Sequence, residues 1–260
     1  MTKIFKDKAA IVTGASSGIG RMIAQNLGAA GMDLWLVGRS EEQLQATAEN
    51  IKQAGGSEPH CVAMDLSVAG ALADLVAKVG STHPYLFALV NNAGVMYPEP
   101  ILEADPKRWQ EMFAINVFTP MESCRAAVQT MRKHGKPGHL VNIGSLAARF
   151  DTTGAYGLTK SAVSHLGRTL RHELQGDDIR VSTIVPGVFA SNLLRGFTPE
   201  ILVKLQQNMA AAKIDLAGPD AAKYFGDPTH IANMVNHILQ LPIELNIEEI
   251  TIRPAIQTDL

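Results

Sequence analysis

Apolar and polar positions along this chain change period in a regular order. Ala9 to Thr13 is a short apolar run that ends in a glycine-rich turn. Beyond it Ile19, Ile23 and Leu27 recur at four-residue spacing, which places them on one helix face. Asp33 to Val37 is a second strand. Ser40 with Gln43 reads as a capping box that opens a helix to about Gly55, whose missing Cβ suits a C-terminal cap. His60 to Met64 is a third strand, about 67–78 a helix, and Leu86 to Val90 a fourth strand, apolar throughout. Strands without alternation are buried on both faces, as in a parallel sheet covered by helices.

The second half keeps this rhythm. Asp105 and Pro106 supply the N-cap and first-turn proline of a long helix reaching about Arg132. Inside it Pro120 has no N–H, so the helical bond to the carbonyl of Asn116 is lost. A kink is expected there, with that carbonyl free to hold a water. Leu140 to Ile143 is a strand, and Ala155 to about Leu174 a helix with Ala162, Leu166, Leu170 and Leu174 facing inward. Val181 to Val185 and Ile247 to Ile252 complete seven strands. Right-handed crossovers then give an α/β fold: a doubly wound, Rossmann-type parallel sheet with helices on both faces, expected as one domain over 1–260. Only 189–225 breaks the pattern. It is too long for an ordinary crossover and is expected to hold short helices near Pro199 to Met209 and Ala221 to Phe225, as a lid over a ligand.

Composition narrows the class. Hydrophobic residues at 46% and charged residues at 18% fit a packed core rather than a disordered chain. With 23 Lys and Arg against 25 Asp and Glu, the net charge is −2, and no basic stripe suggests a nucleic-acid partner. No apolar run approaches the roughly 18 residues needed to span a bilayer, and Met1 to Lys8 has no signal core. Cys61 and Cys124 are isolated and read as reduced, buried small hydrophobes. A cytoplasmic protein with no membrane partner is expected. Eight histidines show no ligand pairing, so no metal site is expected.

Chemistry concentrates at the strand ends. Thr13-Gly14-Ala15-Ser16-Ser17-Gly18-Ile19-Gly20 follows the first strand and opens the first helix. Gly14 permits the tight turn, Gly18 lets a pyrophosphate approach the backbone, and Gly20 lets the helix lie near the sheet. The helix N-terminus offers free N–H groups to the anion. Tyr156 and Lys160, four apart, share one helix face, and Ser145 lies just beyond the strand ending at Ile143. A tyrosine with a pKa near 10 is a poor base at neutral pH, and a nearby ammonium is expected to lower that value. Arg149 is either a contact for an acidic substrate or a surface ion pair, and Tyr97, Phe150 and Phe189 are candidate pocket walls.

Together these motifs resemble the short-chain dehydrogenase/reductase family over essentially the full length. The matching pieces are the 13–20 turn, Asp65-Leu66, Asn91-Asn92-Ala93-Gly94, Asn116, Ser145, Tyr156 to Lys160, and Pro186-Gly187 with Ser191 following. The resemblance implies that Tyr156 is the acid/base, Lys160 its pKa-lowering, ribose-binding partner, Ser145 the substrate-orienting hydroxyl and Asn116 the anchor of a relay water. It implies cofactor contacts from Gly14, Ser16, Ser17, Gly18, Ile19, Gly20, Asp65, Leu66, Asn92, Ala93, Gly94, Pro186, Gly187, Val188 and Ser191, with Asn91 supporting the central strands. Two departures stand out. Ser145 to Tyr156 is 11 positions, a trimmed loop, and Ser191 stands where the family often has Thr. The tail Glu248 to Pro254 is similar to members acting on small hydroxy acids and related alcohols.

The second strand ends Val37-Gly38-Arg39-Ser40. Enzymes of this kind that use NAD place a carboxylate near Gly38; here none repels a 2′-phosphate, and Arg39 is available to pair with one. The expectation is an NADP(H)-preferring oxidoreductase interconverting a secondary alcohol and a ketone or aldehyde, acting as a homotetramer or, second, a dimer. The competing readings are an epimerase or dehydratase with a held cofactor, and a non-catalytic dinucleotide sensor.

Overall fold

The computed structural model describes residues 3–97, 99–189, 203, 207 and 224–255. Seven strands, β1 Ala9–Thr13, β2 Asp33–Gly38, β3 His60–Ala63, β4 Leu86–Asn91, β5 Gly138–Ile143, β6 Ile179–Pro186 and β7 Glu249–Ile252, pair in the order β3-β2-β1-β4-β5-β6-β7. Every pairing is parallel. Parallel pairing requires crossovers, and the helices that make them cover both faces of the sheet. On one face α1 (Gly18–Ala29), α2 (Glu41–Gln53) and α7 (Thr229–Gln240) bury Ile23, Leu27, Leu44, Ile51, Val235 and Ile238 against Ala10, Val12 and Val90. On the other, α3 (Ala71–Thr82), α5 (Thr119–His134) and α6 (Gly154–Glu173) bury Val76, Ala127, Ala155 and Tyr156 against Ile11, Leu89 and Leu140. This is the doubly wound architecture read from the alternating pattern.

Three expectations need correction. The helix expected over 67–78 begins at Ala71, because Asp65 accepts from the Ser67 N–H at 2.9 Å in a side-chain-closed turn and Gly70 adopts φ +78° before the helix starts. The capping box forms only by half. Ser40 Oγ accepts from the Gln43 N–H at 3.3 Å, while the Gln43 side chain accepts instead from Arg21 at 2.7 Å. The inward face of α6 is also displaced. Tyr156, Lys160, Val163 and Gly167 are buried, whereas Ala162, Leu166 and Leu170 are half-buried.

The long helix is interrupted where Pro120 required. Between α4 (Pro106–Phe113) and α5 lies a π-helical stretch, Ala114–Phe118, in which the Thr119 N–H reaches back to Ala114 O. The Thr119 hydroxyl adds a second bond to the same carbonyl at 2.9 Å and a bond to Leu66 O at 2.6 Å. Apart from Phe189, Val203, Gln207, Tyr224 and Phe225, the 189–225 excursion lies outside the described residues, as does Ser191. Among the described residues no helix is long and apolar enough to cross a membrane.

Candidate active site

The chain leaves β1 toward β2 and β3, then returns through β4 on the other side of β1. The connections that follow β1 and β4 therefore run in opposite directions, which opens a crevice at the sheet edge. Thr13, at the end of β1, closes the floor of that crevice. Its hydroxyl donates to Val90 O at 3.2 Å and accepts from the Asn92 and Ala93 N–H groups, each at 3.0 Å. Asn92 Nδ2 returns a bond to Thr13 O at 2.9 Å. The Gly14 turn and the Asn92-Ala93-Gly94 segment are thus stitched together by two side chains, Thr13 and Asn92.

The glycine turn is a cradle that other residues would fill. Gly14 has φ +68° and Gly18 φ +53°, both left-handed. A Cβ on Gly20 would lie 2.3 Å from Gly14 O and 2.4 Å from Asn92 Nδ2, so only glycine lets α1 start against the turn. Ser17 is the N-cap of α1 with no side-chain cap bond, and Ser16, Gly18 and Ile19 are half-buried beside it. Uncapped N–H groups at the start of a 12-residue helix, over a turn without side-chain bulk, fit a dinucleotide pyrophosphate. Gly38 ends β2 buried, and a Cβ there would lie 3.2 Å from Ser16 Oγ. Arg39 and Ser40 are exposed just beyond it. Asp65 is exposed too, its carboxyl held below the usual range by bonds from Ser67 and then by the Arg39 charge. Leu66 is buried behind it.

The candidate acid/base residues gather at the end of β5 and the start of α6. Ser145 follows β5 and N-caps a short 3₁₀ turn, Leu146–Arg149, accepting from the Ala147 N–H at 3.2 Å. α6 begins at Gly154, with φ +54°, and carries Tyr156 and Lys160 one turn apart. They are 3% and 4% exposed. Lys160 Nζ donates to Ile143 O at 2.9 Å and sits 5.9 Å from the Tyr156 ring centre. Burial pushes the Tyr156 phenol up to about 12, with a hydrogen bond from Ser145 pulling the other way. Burial pushes Lys160 down to about 8. Burial, not the Lys160 ammonium, dominates the phenol of the chain by itself, and that phenol is protonated at neutral pH.

Asn116, 1% exposed, lies in the π-helical stretch with its side chain fully used. Its Oδ1 accepts from the Val95 N–H at 2.9 Å, and its Nδ2 donates to Val95 O at 2.9 Å and Thr159 Oγ1 at 3.1 Å. It locks the segment after β4 onto α6. Gly94 fits between these parts, since a Cβ on it would stand 3.3 Å from Asn116 Oδ1 and 3.7 Å from Lys160 Nζ. Pro186 ends β6, the Gly187 N–H donates to Ile252 O at 2.8 Å, and Val188 O accepts from the Gly226 N–H at 3.0 Å. Arg149 is engaged at the surface, donating to Glu249 at 2.9 Å and Thr251 at 3.0 Å, the ion pair that was one of its two expected roles. Tyr97 donates to Glu111 at 2.6 Å.

Two residues that support Asn91, Ser123 and Asn142, were not singled out in the sequence. Asn91 Nδ2 donates to Asn142 at 3.0 Å and to Cys124 Sγ at 3.2 Å, and Ser123 donates to Asn91 at 3.1 Å. This buried polar group ties β4, β5 and α5 beneath the site. Its signal is Asn142, an amide inside the apolar run Leu140 to Ile143, where a buried polar group demands partners. Burial raises the Cys124 thiol to about 12. Among the described residues no cluster of ligating side chains suits a metal ion.

Comparison with known proteins agrees with this architecture. The short chain dehydrogenase family model matches residues 8–201. An uncharacterized oxidoreductase of Staphylococcus saprophyticus is 30% identical over 253 residues, covering 96% of this chain and 98% of its own. A metagenomic short-chain oxidoreductase solved in complex with NADP superposes with a TM-score of 0.78 at 29% identity, covering 97% of this chain and 99% of that one. An alcohol dehydrogenase from the archaeon Thermococcus sibiricus, solved with 5-hydroxy-NADP, gives 0.80 at 26% identity, with coverage of 97% and 99%. The chain belongs to the short-chain dehydrogenase family, a family of oxidoreductases.

Proposed function

We propose that this protein is an NADP(H)-dependent oxidoreductase that interconverts a secondary alcohol and a ketone or aldehyde on a small organic substrate. The observation that carries the proposal is the convergence of Ser145, buried Tyr156 and buried Lys160 on the sheet edge that also carries the glycine turn. The dinucleotide would lie with its pyrophosphate on Gly14 to Gly20, its adenosine near Gly38 to Ser40 and Asp65-Leu66, and its nicotinamide between Asn92 to Gly94 and Pro186 to Val188. Ser191 would complete the nicotinamide contacts. When bound, the cofactor supplies or accepts the hydride.

The protein's own work is positioning and proton transfer. Ser145 orients the substrate oxygen toward Tyr156. Protonated at rest, the phenol is in the form that donates to a carbonyl oxygen, and Lys160 is held where it can bind ribose and replace that proton. The carbonyl of Asn116, denied its helical partner by Pro120, is suited to hold the relay water. Tyr156→Phe is expected to fold and bind dinucleotide while losing oxidation of NADPH by a panel of carbonyl compounds. Full turnover by this variant would refute the role, and a wild type that binds dinucleotide without turnover would make the protein a sensor.

Preference for NADP(H) rests on exposed Arg39 following Gly38, and on the lack of a carboxylate at Gly38, where a Cβ would already stand 3.2 Å from Ser16 Oγ. Arg39→Ala should lose much of any advantage of NADPH over NADH in kcat/KM; an unchanged ratio would remove Arg39 from the cofactor site. Exposed Phe118, Met121 and Leu158, near the π-helical stretch and α6, support assembly into a homotetramer, or a dimer, through these helices. Unpaired Cys61 and Cys124 support a reducing, cytoplasmic setting.

A further inference from the structure

Thr159 stands on α6 between the two residues assigned to proton transfer, Tyr156 and Lys160, and is fully buried at 0% exposed. Threonine is a weak helix former, because its branched Cβ restricts χ1 and its hydroxyl competes for backbone partners. A buried hydroxyl left without partners would add a desolvation cost. This one has a partner for its proton and another for a lone pair. Asn116 Nδ2 is a donor only, so Thr159 Oγ1, 3.1 Å away, accepts from it. The single hydroxyl proton then goes to Tyr156 O, at 2.8 Å. One hydroxyl thus joins an amide outside α6 to the backbone of Tyr156 itself.

The other end of that amide is fixed as well. Asn116 Oδ1 accepts from the Val95 N–H and Nδ2 donates to Val95 O, both at 2.9 Å, so turning the amide over would set two donors face to face. Val95 is buried and directly follows Gly94. A Cβ on Gly94 would stand 3.3 Å from Asn116 Oδ1 and 3.7 Å from Lys160 Nζ, so amide and ammonium are neighbours across that glycine. Lys160 Nζ is held in turn by Ile143 O at 2.9 Å. Among the described residues, the bond to Thr159 is the only hydrogen bond between the π-helical stretch and α6. Where Asn116 stands relative to Tyr156 and Lys160 is therefore set by this one hydroxyl together with apolar packing.

We propose that Thr159 is a positioning residue for proton transfer. Its hydroxyl sets the π-helical turn against α6, so that the Asn116 carbonyl and the Lys160 ammonium stay in register with the Tyr156 phenol. The inference rests on the function proposed above and adds to it a residue that touches neither substrate nor dinucleotide. Proton transfer needs donor and acceptor within hydrogen-bond reach, and a small misplacement of either slows it steeply. A threonine that merely satisfied itself inside a helix would need the bond to Tyr156 O alone. The second bond, from another element, is what ties the two halves of the proton path together.

Steady-state oxidation of NADPH by a carbonyl compound that the wild type reduces, followed in H2O and in D2O, tests this with Thr159→Val and Thr159→Ser. Valine keeps the branched shape and loses the hydroxyl; serine keeps the hydroxyl and loses a methyl. Thr159→Val should lower kcat about ten-fold, a part of what a positioned proton donor supplies. KM for NADPH should change less than about two-fold. The solvent isotope effect on kcat should rise, because proton delivery then limits turnover. Thr159→Ser should keep kcat within about two-fold of the wild type and leave the isotope effect as it was. A purely structural threonine would lower the unfolding midpoint in both variants and leave kcat and the isotope effect of the folded enzyme alone. If the valine variant does not fold, Thr159→Ala against Thr159→Ser makes the same comparison. Wild-type kcat and isotope effect without the hydroxyl, or an equal loss with serine, would overturn this inference while an inactive Tyr156→Phe keeps the proposed function standing. Full turnover by Tyr156→Phe, or none by the wild type, would overturn both.

Discussion

Replacing Thr13 by valine keeps the shape of the side chain and removes its oxygen. Thr13 is 2% exposed, and that oxygen serves three bonds: one given to Val90 O at 3.2 Å, two received from Asn92 and Ala93 at 3.0 Å. The variant therefore leaves two backbone N–H groups without their acceptor. Each buried donor left unsatisfied costs about 1–3 kcal/mol, so the expected loss is about 2–6 kcal/mol. Asn92 and Ala93 are half-buried, which lets water repay part of this and sets the expectation near the lower end. Thr13→Ser is the matched control, since it keeps the hydroxyl and loses one methyl, worth about 1 kcal/mol. Equilibrium unfolding in urea measures both, with an unchanged slope showing that only stability moved. The valine variant should also bind NADPH more weakly, because Gly14 and Asn92 lose their common anchor. Equal unfolding midpoints for the two variants would refute the reasoning.

Two further perturbations follow from the same geometry. Gly20→Ala should lower both the unfolding midpoint and NADPH affinity, because its Cβ would stand 2.3 Å from Gly14 O, a backbone atom that cannot swing away; wild-type values for both would show the turn to be looser than described. His139 binds its proton only near pH 3 in the folded chain but near 6.5 when unfolded, so its contribution is complete above about pH 6.5 and is lost as pH falls toward 3. That loss is up to about 5 kcal/mol. In urea unfolding at pH 7 and pH 4.5, His139→Gln should lose less stability on acidification than the wild type, and an identical loss would exclude His139 as a source of acid sensitivity.

Much of the fold could be read from the sequence because strands buried on both faces, such as Leu86 to Val90, leave a continuous apolar signature that survives without knowledge of neighbours. Errors fell where local chemistry competes with periodicity. Asp65 and Gly70 delay α3 by closing a turn of their own, which no hydrophobic count registers. The face of α6 was misjudged because Tyr156 and Lys160 are polar yet buried; an apolar stripe points elsewhere when the site itself occupies the inward face. Pro120 made the helix interruption legible, although not its π-helical form, which depends on Thr119 bonding both Ala114 and Leu66. At the carboxyl edge of the sheet, the positions of Gly14, Ser145, Tyr156 and Lys160 followed from strand order. The roles of Thr13 and Asn142 did not, because Asn92 and Asn91, which they bond, lie 79 and 51 positions away in sequence.

The π-helical stretch also has a bearing on how the long helix tolerates change. One residue more in a turn offsets everything downstream by about 100° around the axis. Upstream, Glu111 addresses the loop beside the pocket; downstream, Ser123 and Cys124 address the amides beneath the strands. Trimming a single residue from Ala114 to Phe118 would rewind the spiral and swing one of these two sets off its target. The two halves are indexed separately, so the outer half is free to be remodelled for a new substrate while the inner half keeps its grip on the sheet.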